Sequence, residues 1–491
     1  MTPETARHRK GLLLLFLALA AYSVFLAQHC VLSVGGSDSS AYANTARRLL
    51  AGQLVFRPRS LEELRLPDAL APIFTPLGFL QGSQPGTLAP VYPVGFPAHL
   101  AAAALLGGWQ RGPYVVSPVA AVVCLALVFL LGRELGLHPA PAAAVAIVLA
   151  AWPPFLYQAI QPMSDVVATL WATAAILFGL RARRQPAWAA ACGAAFGLAV
   201  FVRPTCGVLA LPLLFALPLR MHPLGLFALG AAPFAGTLAI VNARCYGGVF
   251  RTGYTEIGLL GQIAMSNFTP RIRYYGQWLF RTLTPVVPLA AAAAAAVRSR
   301  PLRDRFLLLS WFAVFLGLHC LYGPYEAFGF LRFLLPGVPG LLLAAALTAQ
   351  DLLARARWAR ATAIAASLLL AVILSAESRV TKAVGVLGMA EYESIYPRAC
   401  EWVASSLPAR SAVVATISSG ALEYYTRLPY VRWDFISPER WPTFRSAIEA
   451  RGYRFFALLF PDEEKEFARH VPGEWTKIGS MREVSLWRLS P

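Results

Sequence analysis

The sequence predicts an α-helical polytopic membrane protein of about 11 spans with a small C-terminal extracytoplasmic α/β domain. Three observations predict this fold class. Of the 491 residues, 57% are hydrophobic and only 14% are charged, which is unlike soluble globular proteins of this length. Apolar runs of about 20 residues, the length that a helix needs to cross a bilayer, recur along residues 11–377. The last hundred residues are instead polar and mixed in charge.

The formal charge of +18 lies entirely in the apolar part of the chain. Residues 391–491 hold 13 basic and 13 acidic residues, so the whole excess belongs to residues 1–390. The basic residues there are nearly all arginines in short loops between apolar runs, as the positive-inside rule describes for cytoplasmic loops. The charge therefore indicates membrane topology, and we expect no nucleic-acid partner.

The predicted topology is the alternation of sides that leaves these arginines in the cytoplasm. It gives a cytoplasmic amino terminus (1–10), a large first external loop (34–113) and an extracytoplasmic C-terminus. The apolar segment 93–108 inside that loop is short for a crossing, and we interpret it as an interfacial or re-entrant helix. The eleven spans are predicted near 11–32, 114–133, 140–159, 166–180, 187–202, 206–219, 223–241, 278–297, 306–321, 332–348 and 361–376.

Two domains follow the short amino-terminal segment: a transmembrane domain over 11–377 and an extracytoplasmic α/β domain over 378–491. In the second, segments typical of strands alternate with segments typical of helices, and each helical segment opens with a start signal such as Ser or Pro. This alternation favours an α/β fold. The strands are predicted at 411–417, 453–460 and 484–489, and the helices at 419–427, 437–452 and 461–471.

Acidic residues at predicted span ends are the first candidate site residues. Asp38 follows span 1, and Asp165 lies between spans 3 and 4. Glu377 is predicted to lie outside the membrane, after span 11, and is not a candidate. A carboxylate close to hydrocarbon is costly unless it faces protein or a water-filled cavity, which makes Asp38 and Asp165 functional candidates. Helix capping explains both equally well, because a carboxylate at a helix start binds free backbone N–H groups. The two roles can coexist.

Arg203 and Arg332 lie at the outer ends of predicted spans, where the phosphate of a bound lipid would lie. A guanidinium binds phosphate through two parallel hydrogen bonds. The alternative is that both side chains extend to lipid headgroups. Two arginines and two acids on one predicted membrane face favour a site that holds a lipid phosphate and activates a hydroxyl.

Several common catalytic motifs are absent from the sequence. It contains no P-loop, no HExxH, no GxSxG and no histidine cluster, so nucleotide hydrolysis, zinc proteolysis and α/β-hydrolase chemistry have no support. The seven cysteines are scattered without a CxxC pair, so neither a zinc site nor a disulfide framework is indicated. No internal repeat is visible, which weakens a transporter built from duplicated halves.

Six stretches, in consistent order, resemble the GT-C superfamily of integral-membrane glycosyltransferases that use polyprenyl-phosphate sugars. Its members include protein O-mannosyltransferases and bacterial lipid A aminoarabinose transferases. The stretches are GGSDSSAYANTARRLLAGQ (35–53), PVYPVGFPAHLAAAALLGG (90–108), QPMSDVVATLWATAAIL (161–177), GAAFGLAVFVRPTCGVLALPLLFAL (193–217), YGGVFRTGY (246–254) and RFLLPGVPGLLLA (332–344).

The resemblance implies that Asp38 is the general base of an inverting sugar transfer and that Asp165 helps to hold the acceptor or a metal. Many relatives carry a second acid directly after the first, whereas this chain has Ser39. A divalent metal is therefore doubtful, and no other cofactor is predicted. The residues expected to bind substrate are Tyr42, Tyr92, Arg203, Tyr254 and Arg332.

The expected partners are a polyprenyl-phosphate sugar donor, a glycan, lipid or protein acceptor, and membrane lipid. We expect a multi-pass protein of the bacterial plasma membrane. The alternative function is a multi-span transporter or a lipid or polysaccharide flippase, which charges in the middle of spans would favour. Predicted spans 2 to 11 carry almost none away from their ends.

Overall fold

A computed structural model of the chain describes residues 3–296, 300–323, 326–355 and 359–490. Helices dominate, as the apolar composition predicts. The first eleven α-helices are α1 Pro3–His29, α2 Asp38–Leu50, α3 Arg59–Glu63, α4 Gly95–Gly107, α5 Gly112–Glu134, α6 Pro139–Ala151, α7 Pro153–Ala159, α8 Ser164–Ala182, α9 Trp188–Val202, α10 Ala210–Ala216 and α11 Met221–Tyr246.

The remaining α-helices and all strands of the described residues follow in chain order. The helices are α12 Gly253–Glu256, α13 Phe268–Leu283, α14 Val286–Ala293, α15 Leu302–Cys320, α16 Val338–Leu353, α17 Ala359–Ala383, α18 Met389–Glu393, α19 Ile395–Ser406, α20 Ser419–Tyr425, α21 Trp441–Glu449 and α22 Glu464–His470. The strands are β1 Phe79–Gln81, β2 Leu88–Pro90, β3 Ser411–Val414, β4 Tyr430–Val431, β5 Arg454–Leu459, β6 Trp475–Met481 and β7 Val484–Leu489.

The chain divides into two compact units, each assembled from separate stretches of sequence. The helical unit comprises Met1–Cys30, Val115–Thr237 and Leu260–Met389. The α/β unit comprises Val31–Tyr114, Leu238–Leu259 and Ala390–Pro491. The first loop and the C-terminal domain thus belong to one unit, although about 275 residues of chain separate them. The domain boundaries drawn from the sequence stay a prediction.

The multi-pass helical fold class predicted from the sequence is confirmed. Within the described residues, five helical stretches are long and apolar enough to cross a membrane, and two strongly bent helix pairs raise the number to seven if each is one span. Shorter apolar helices account for other predicted spans, and the count of eleven stays a prediction. The five stretches are Gly112–Glu134, Ser164–Ala182, Met221–Tyr246, Phe328–Leu353 and Ala363–Ala383.

Predicted span 8, residues 278–297, is not one continuous helix. Helical segments Met265–Leu283 and Val286–Ala296 meet at an angle of 108°. Thr284 between them has a φ of +59°, outside the helical region, and Pro285 follows it. A proline disfavours helical backbone at the residue before it and offers no N–H to the helix ladder, which explains the break.

The helix of predicted span 11 continues beyond residue 376 to Ala383, so Glu377 lies inside α17 instead of after it. Its side chain is fully buried, and neither carboxyl oxygen has a hydrogen-bond partner among the described residues. Glutamate is a good helix former, so a single acid does not end an apolar helix that packs on its neighbours.

The predicted C-terminal α/β fold is confirmed, with a five-stranded sheet of order β4-β3-β5-β7-β6. Strand β3 runs parallel to β4 and β5, whereas β7 is antiparallel to β5 and β6. The predicted strands correspond to β3, β5 and β7, and the predicted helices to α20, α21 and α22. The sequence prediction missed β4, which has two residues, and the edge strand β6, in which apolar residues do not alternate with polar ones and no residue is fully buried.

The two faces of this sheet bury different partners, because successive strand residues point to opposite sides. Ala412 and Val414 pack with α21, α22 and residues 61–74 of the first loop. Val413 packs on the other side with α19 and α20. Part of the first loop therefore belongs to the hydrophobic core of the C-terminal domain.

Candidate active site

Helix α2 begins at Asp38, directly after a tight turn. Gly36 has a φ of +53°, a conformation that glycine adopts readily. The N-cap residue is Ser37, and its side chain makes no capping hydrogen bond. Asp38 is therefore not the capping residue of a helix that starts at Ser39, as the alternative interpretation required. It lies in the first turn, where the helix dipole still favours a carboxylate.

The carboxylate of Asp38 is held by a tyrosine of the same loop. The Tyr92 hydroxyl donates a hydrogen bond to Asp38 Oδ1 at 2.6 Å and lies 3.1 Å from the Ser37 hydroxyl. Burial, reinforced by the neighbouring carboxylate, raises the pKa of the Tyr92 phenol well above its usual value. Tyr92 therefore stays a neutral hydrogen-bond donor at working pH, and it orients the half-buried carboxyl group of Asp38.

Aromatic rings continue from this pair in both directions. The ring centre of Tyr92 lies 5.2 Å from that of Tyr42 and 6.3 Å from that of Tyr254. Tyr42 in turn contacts Phe96 edge-on at 5.0 Å. Tyr42 is one helical turn after Asp38 and therefore on the same face of α2. We call Asp38, Tyr42, Tyr92, Phe96 and Tyr254 the Asp38 cluster. Aromatic rings of this kind can pack against the apolar faces of sugar rings.

A second group, in the helical unit, contains Asp165. Helix α8 begins at Ser164 with Met163 as N-cap, so Asp165 lies within its first turn and makes no cap. Its side chain is 1% exposed and forms an ion pair with Arg203. Arg203 follows α9 and precedes Pro204, which explains its extended backbone. The buried carboxylate is stable there because the guanidinium compensates its charge.

The ring of Phe333 brings the two predicted arginines together. The guanidinium carbons of Arg203 and Arg332 lie 5.5 and 5.6 Å from its centre, within the range of cation–π attraction. The His319 ring stacks on Phe333 at 5.1 Å, and His319 Nδ1 is 2.9 Å from the Phe315 carbonyl oxygen. We call Asp165, Arg203, His319, Arg332 and Phe333 the Asp165 cluster.

All seven predicted site residues thus fall into two clusters. Asp38, Tyr42, Tyr92 and Tyr254 group in the α/β unit, and Asp165, Arg203 and Arg332 group in the helical unit. Sequence reasoning missed Phe333 and His319. Phe333 directly follows Arg332 in the stretch RFLLPGVPGLLLA (332–344), and His319 is a polar residue at the end of predicted span 9. These positions were the sequence signals for both residues.

The described residues provide few groups that could bind a metal ion. No three His, Cys, Asp or Glu side chains among them lie together. Asp165 is almost fully buried and already neutralised by Arg203, whereas hard cations bind several carboxylate, carbonyl or water oxygens at once. The donor set therefore does not fit a resident metal, and no catalytic step is derived through one.

Replacement of Tyr92 by phenylalanine tests how this hydroxyl serves Asp38. We expect kcat of the sugar transfer that the sequence resemblance implies to fall about 10- to 100-fold, because Asp38 loses the hydrogen bond that orients it and a misplacement of about 1 Å can lower a rate about 100-fold. Thermal stability should change little. Tyr22→Phe is the matched control, since it removes a tyrosine hydroxyl that donates to the Ala150 carbonyl in the helical unit. An unchanged kcat in Tyr92→Phe, or an equal loss in the control, contradicts this role.

The model of the dolichyl-phosphate-mannose-protein mannosyltransferase family matches residues 92–238 of the chain. This stretch includes Tyr92, Asp165 and Arg203. No curated protein sequence matches the chain.

Solved structures resemble the chain over nearly its whole length. ArnT from Cupriavidus metallidurans bound to undecaprenyl phosphate matches with a TM-score of 0.61 and 14% identity, covering 97% of each chain. The arabinofuranosyltransferase AftD from Mycobacteria matches with 0.56 and 15%, over 97% of this chain and 40% of AftD. The archaeal oligosaccharyltransferase AglB from Archaeoglobus fulgidus, in complex with an inhibitory peptide and a dolichol-phosphate, matches with 0.51 and 13%, over 97% and 74%.

These three proteins are GT-C glycosyltransferases, and the similarity shows that the chain has the GT-C fold. The resemblance inferred from six sequence stretches is thereby confirmed. The fold and the family match together support glycosyltransferase activity.

Proposed function

We propose that the chain transfers a sugar from a polyprenyl-phosphate donor to an acceptor hydroxyl on the extracytoplasmic side of the membrane, with inversion at the anomeric carbon. The observation that carries this proposal is the carboxylate of Asp38, oriented by the neutral phenol of Tyr92 and flanked by aromatic rings. The shared fold supports it, because ArnT with that fold binds undecaprenyl phosphate and AglB was solved with a dolichol-phosphate.

Asp38 acts as the general base. The acceptor hydroxyl gives its proton to the Asp38 carboxylate while its oxygen forms a bond to the anomeric carbon. The bond from that carbon to the phosphate oxygen breaks at the same time, and the lipid phosphate leaves with the bonding electron pair. Attack opposite the leaving group inverts the configuration. A well-placed base of this kind contributes about 10²- to 10⁴-fold to the rate.

The Asp165 cluster serves the phosphate. Asp165, Arg203 and Arg332 together carry a net charge of +1, because one guanidinium is neutralised by the buried carboxylate. Arg203 and Arg332 share the Phe333 ring, so their donors are held within one small region. Fixed cations stabilise negative charge that develops on a leaving phosphate. Asp165 has a positioning role here, since it holds Arg203.

The function is tested by transfer with the purified protein in detergent. The donors are a panel of isoprenoid-phosphate monosaccharides, and the acceptors are separated glycan, lipid and protein fractions of a bacterial envelope. We expect one donor to give a labelled product. The experiment also separates the alternative function, because detergent solution has no two compartments and a transporter or flippase forms no new glycosidic bond there.

One observation favours that alternative, the buried acid Glu377 inside α17. Acids within spans often mark ion or substrate pathways. Glu377 is the single acid of α17, about 9 Å from the carboxyl end of the helix, and the basic residues of that helix, Arg360, Arg379 and Lys382, lie near its two ends. The transferase is therefore the function that the described residues support best.

Replacement of Arg332 by alanine tests the phosphate role. We expect the apparent KM for the lipid donor to rise about tenfold or more, since a charge-assisted hydrogen bond contributes about 1.5–3 kcal/mol. Arg281→Ala is the matched control, because Arg281 is exposed and also lies over an aromatic ring, 5.4 Å from the centre of Trp278. A donor KM that stays at the wild-type value in Arg332→Ala excludes the proposed contact.

A further inference from the structure

One face of helix α2 packs against helix α20 of the C-terminal domain. Asn44 Nδ2 donates to the Gly420 carbonyl at 2.9 Å, and Arg47 Nη1 donates to the Tyr424 carbonyl at 2.6 Å. The Arg47 guanidinium also lies 3.5 Å from the centre of the Tyr424 ring. These contacts join residues that are nearly 380 positions apart in the sequence.

A carboxylate of α20 also forms ion pairs with the first loop. Glu423 lies 2.7 Å from Arg48 of α2 and 3.8 Å from Arg59 of α3. The Glu423 side chain is only 8% exposed, so both ion pairs are largely shielded from solvent on the Glu423 side. Arg59 also donates to the Thr426 carbonyl at 3.1 Å. Helix α20 and the residue that follows it therefore contact two helices of the first loop, α2 and α3.

The packing between α2 and α20 leaves no space at Gly420. A Cβ atom built on Gly420 would lie 2.1 Å from Ser40 Oγ and 2.9 Å from Ser40 Cβ. The next heavy atom is 3.5 Å away, at the Leu77 carbonyl oxygen. Glycine at position 420 is thus what lets the two helices approach, and only one side chain opposes it.

The face of α2 that contacts α20 is opposite the face that carries the site. With 100° per residue, Ser40 and Asn44 lie about 200° around the helix from Asp38 and Tyr42. A displacement of α2 at Ser40 would therefore move Asp38 relative to Tyr92. An error of about 1 Å in the placement of a catalytic group can lower a rate about 100-fold.

We infer that the C-terminal α/β domain is a positioning element for the general base, and that the Gly420–Ser40 contact sets the position of α2. The inference rests on the proposed function, because it assigns the domain a role in that reaction. Ser40, Gly420 and Glu423 are positioning residues in this account. None of them touches the reacting atoms.

The test uses the full-length protein. One substitution adds a methyl group at the contact between α2 and α20, and a second removes the side chain that this methyl group meets. Gly420→Ala should lower kcat about 100-fold and leave the apparent donor KM within about twofold of wild type. Ser40→Gly alone removes the opposing side chain and should lower kcat less than Gly420→Ala does, because it opens space and forces no displacement of α2. The double variant Gly420→Ala/Ser40→Gly should recover most of the lost kcat. Gly388→Ala is the control, because a Cβ there meets nothing within 4 Å.

A wild-type kcat in Gly420→Ala overturns the inference. So does a double variant whose kcat is no higher than that of Gly420→Ala. If Gly420→Ala does not fold, Glu423→Gln takes its place, since it keeps the shape of the side chain and removes its charge; the inference then requires a fall in kcat at constant donor KM. Amide hydrogen exchange of residues 39–50 gives a readout without activity. It should accelerate in Gly420→Ala and return toward wild type in the double variant, even if the chain transfers no sugar, so the two failures are distinguishable.

Discussion

Asp38→Asn is expected to lower kcat of sugar transfer by about 10²- to 10⁴-fold, the contribution of a general base. Asparagine keeps the size of the side chain and an oxygen that can accept the Tyr92 hydrogen bond, so the arrangement of α2 should persist. What it loses is the ability to take a proton. The measurement is the initial rate in detergent with a saturating isoprenoid-phosphate sugar, together with the midpoint of thermal unfolding.

Asp68→Asn is the matched control for this variant. Asp68 belongs to the same loop, but it is about half exposed and pairs with Arg57. Its replacement should leave kcat unchanged. Wild-type activity in Asp38→Asn would remove the general-base role, and an equal loss in both variants would indicate a general effect of the loop.

Arg203→Gln should be the most destabilising single change in the Asp165 cluster. Without Arg203, the carboxylate of Asp165 stays 99% buried with its charge uncompensated, and breaking such a pair costs about 3–5 kcal/mol. The variant should therefore unfold at a clearly lower temperature and should also bind the lipid donor poorly. Thermal unfolding in detergent and the apparent donor KM measure the two effects.

The double variant Asp165→Asn/Arg203→Gln separates structure from function. Removing both charges should restore much of the thermal stability, because two neutral amides can pair without a buried charge. The donor KM should stay raised, because the phosphate has lost a guanidinium. Arg281→Gln, an exposed arginine of the same unit, should change neither quantity. Recovery of the donor KM in the double variant would show that Arg203 serves only the fold.

Much of the fold was accessible from the sequence because it follows from local patterns. Apolar runs predicted the helices, and strand patterns predicted β3, β5 and β7. The break at Thr284 was missed although Pro285 marks it, since the apolar run continues past the proline. The edge strand β6 has no fully buried residue, and its apolar residues do not alternate with polar ones, so it lacks the pattern of a half-buried strand.

The candidate site was predicted as a set of residues, but its pairings were not. Asp38 and Tyr92 are 54 positions apart, and their hydrogen bond depends on how the loop folds back on α2. The contact between Asn44 and Gly420 spans 376 positions and has no local signal in either segment. The N-cap residues are Ser37 and Met163, one position before Asp38 and two before Asp165, because the N-cap depends on where the backbone first becomes helical.

The anomeric configuration of the product tests the central claim most directly. The purified protein is given an isoprenoid-phosphate sugar of defined configuration, and the new glycosidic bond is assigned by nuclear magnetic resonance. Direct displacement with Asp38 as base predicts a product of the opposite configuration. Retention of the donor configuration, which displacement opposite the leaving group cannot give, or the absence of product from every donor tested would contradict the account.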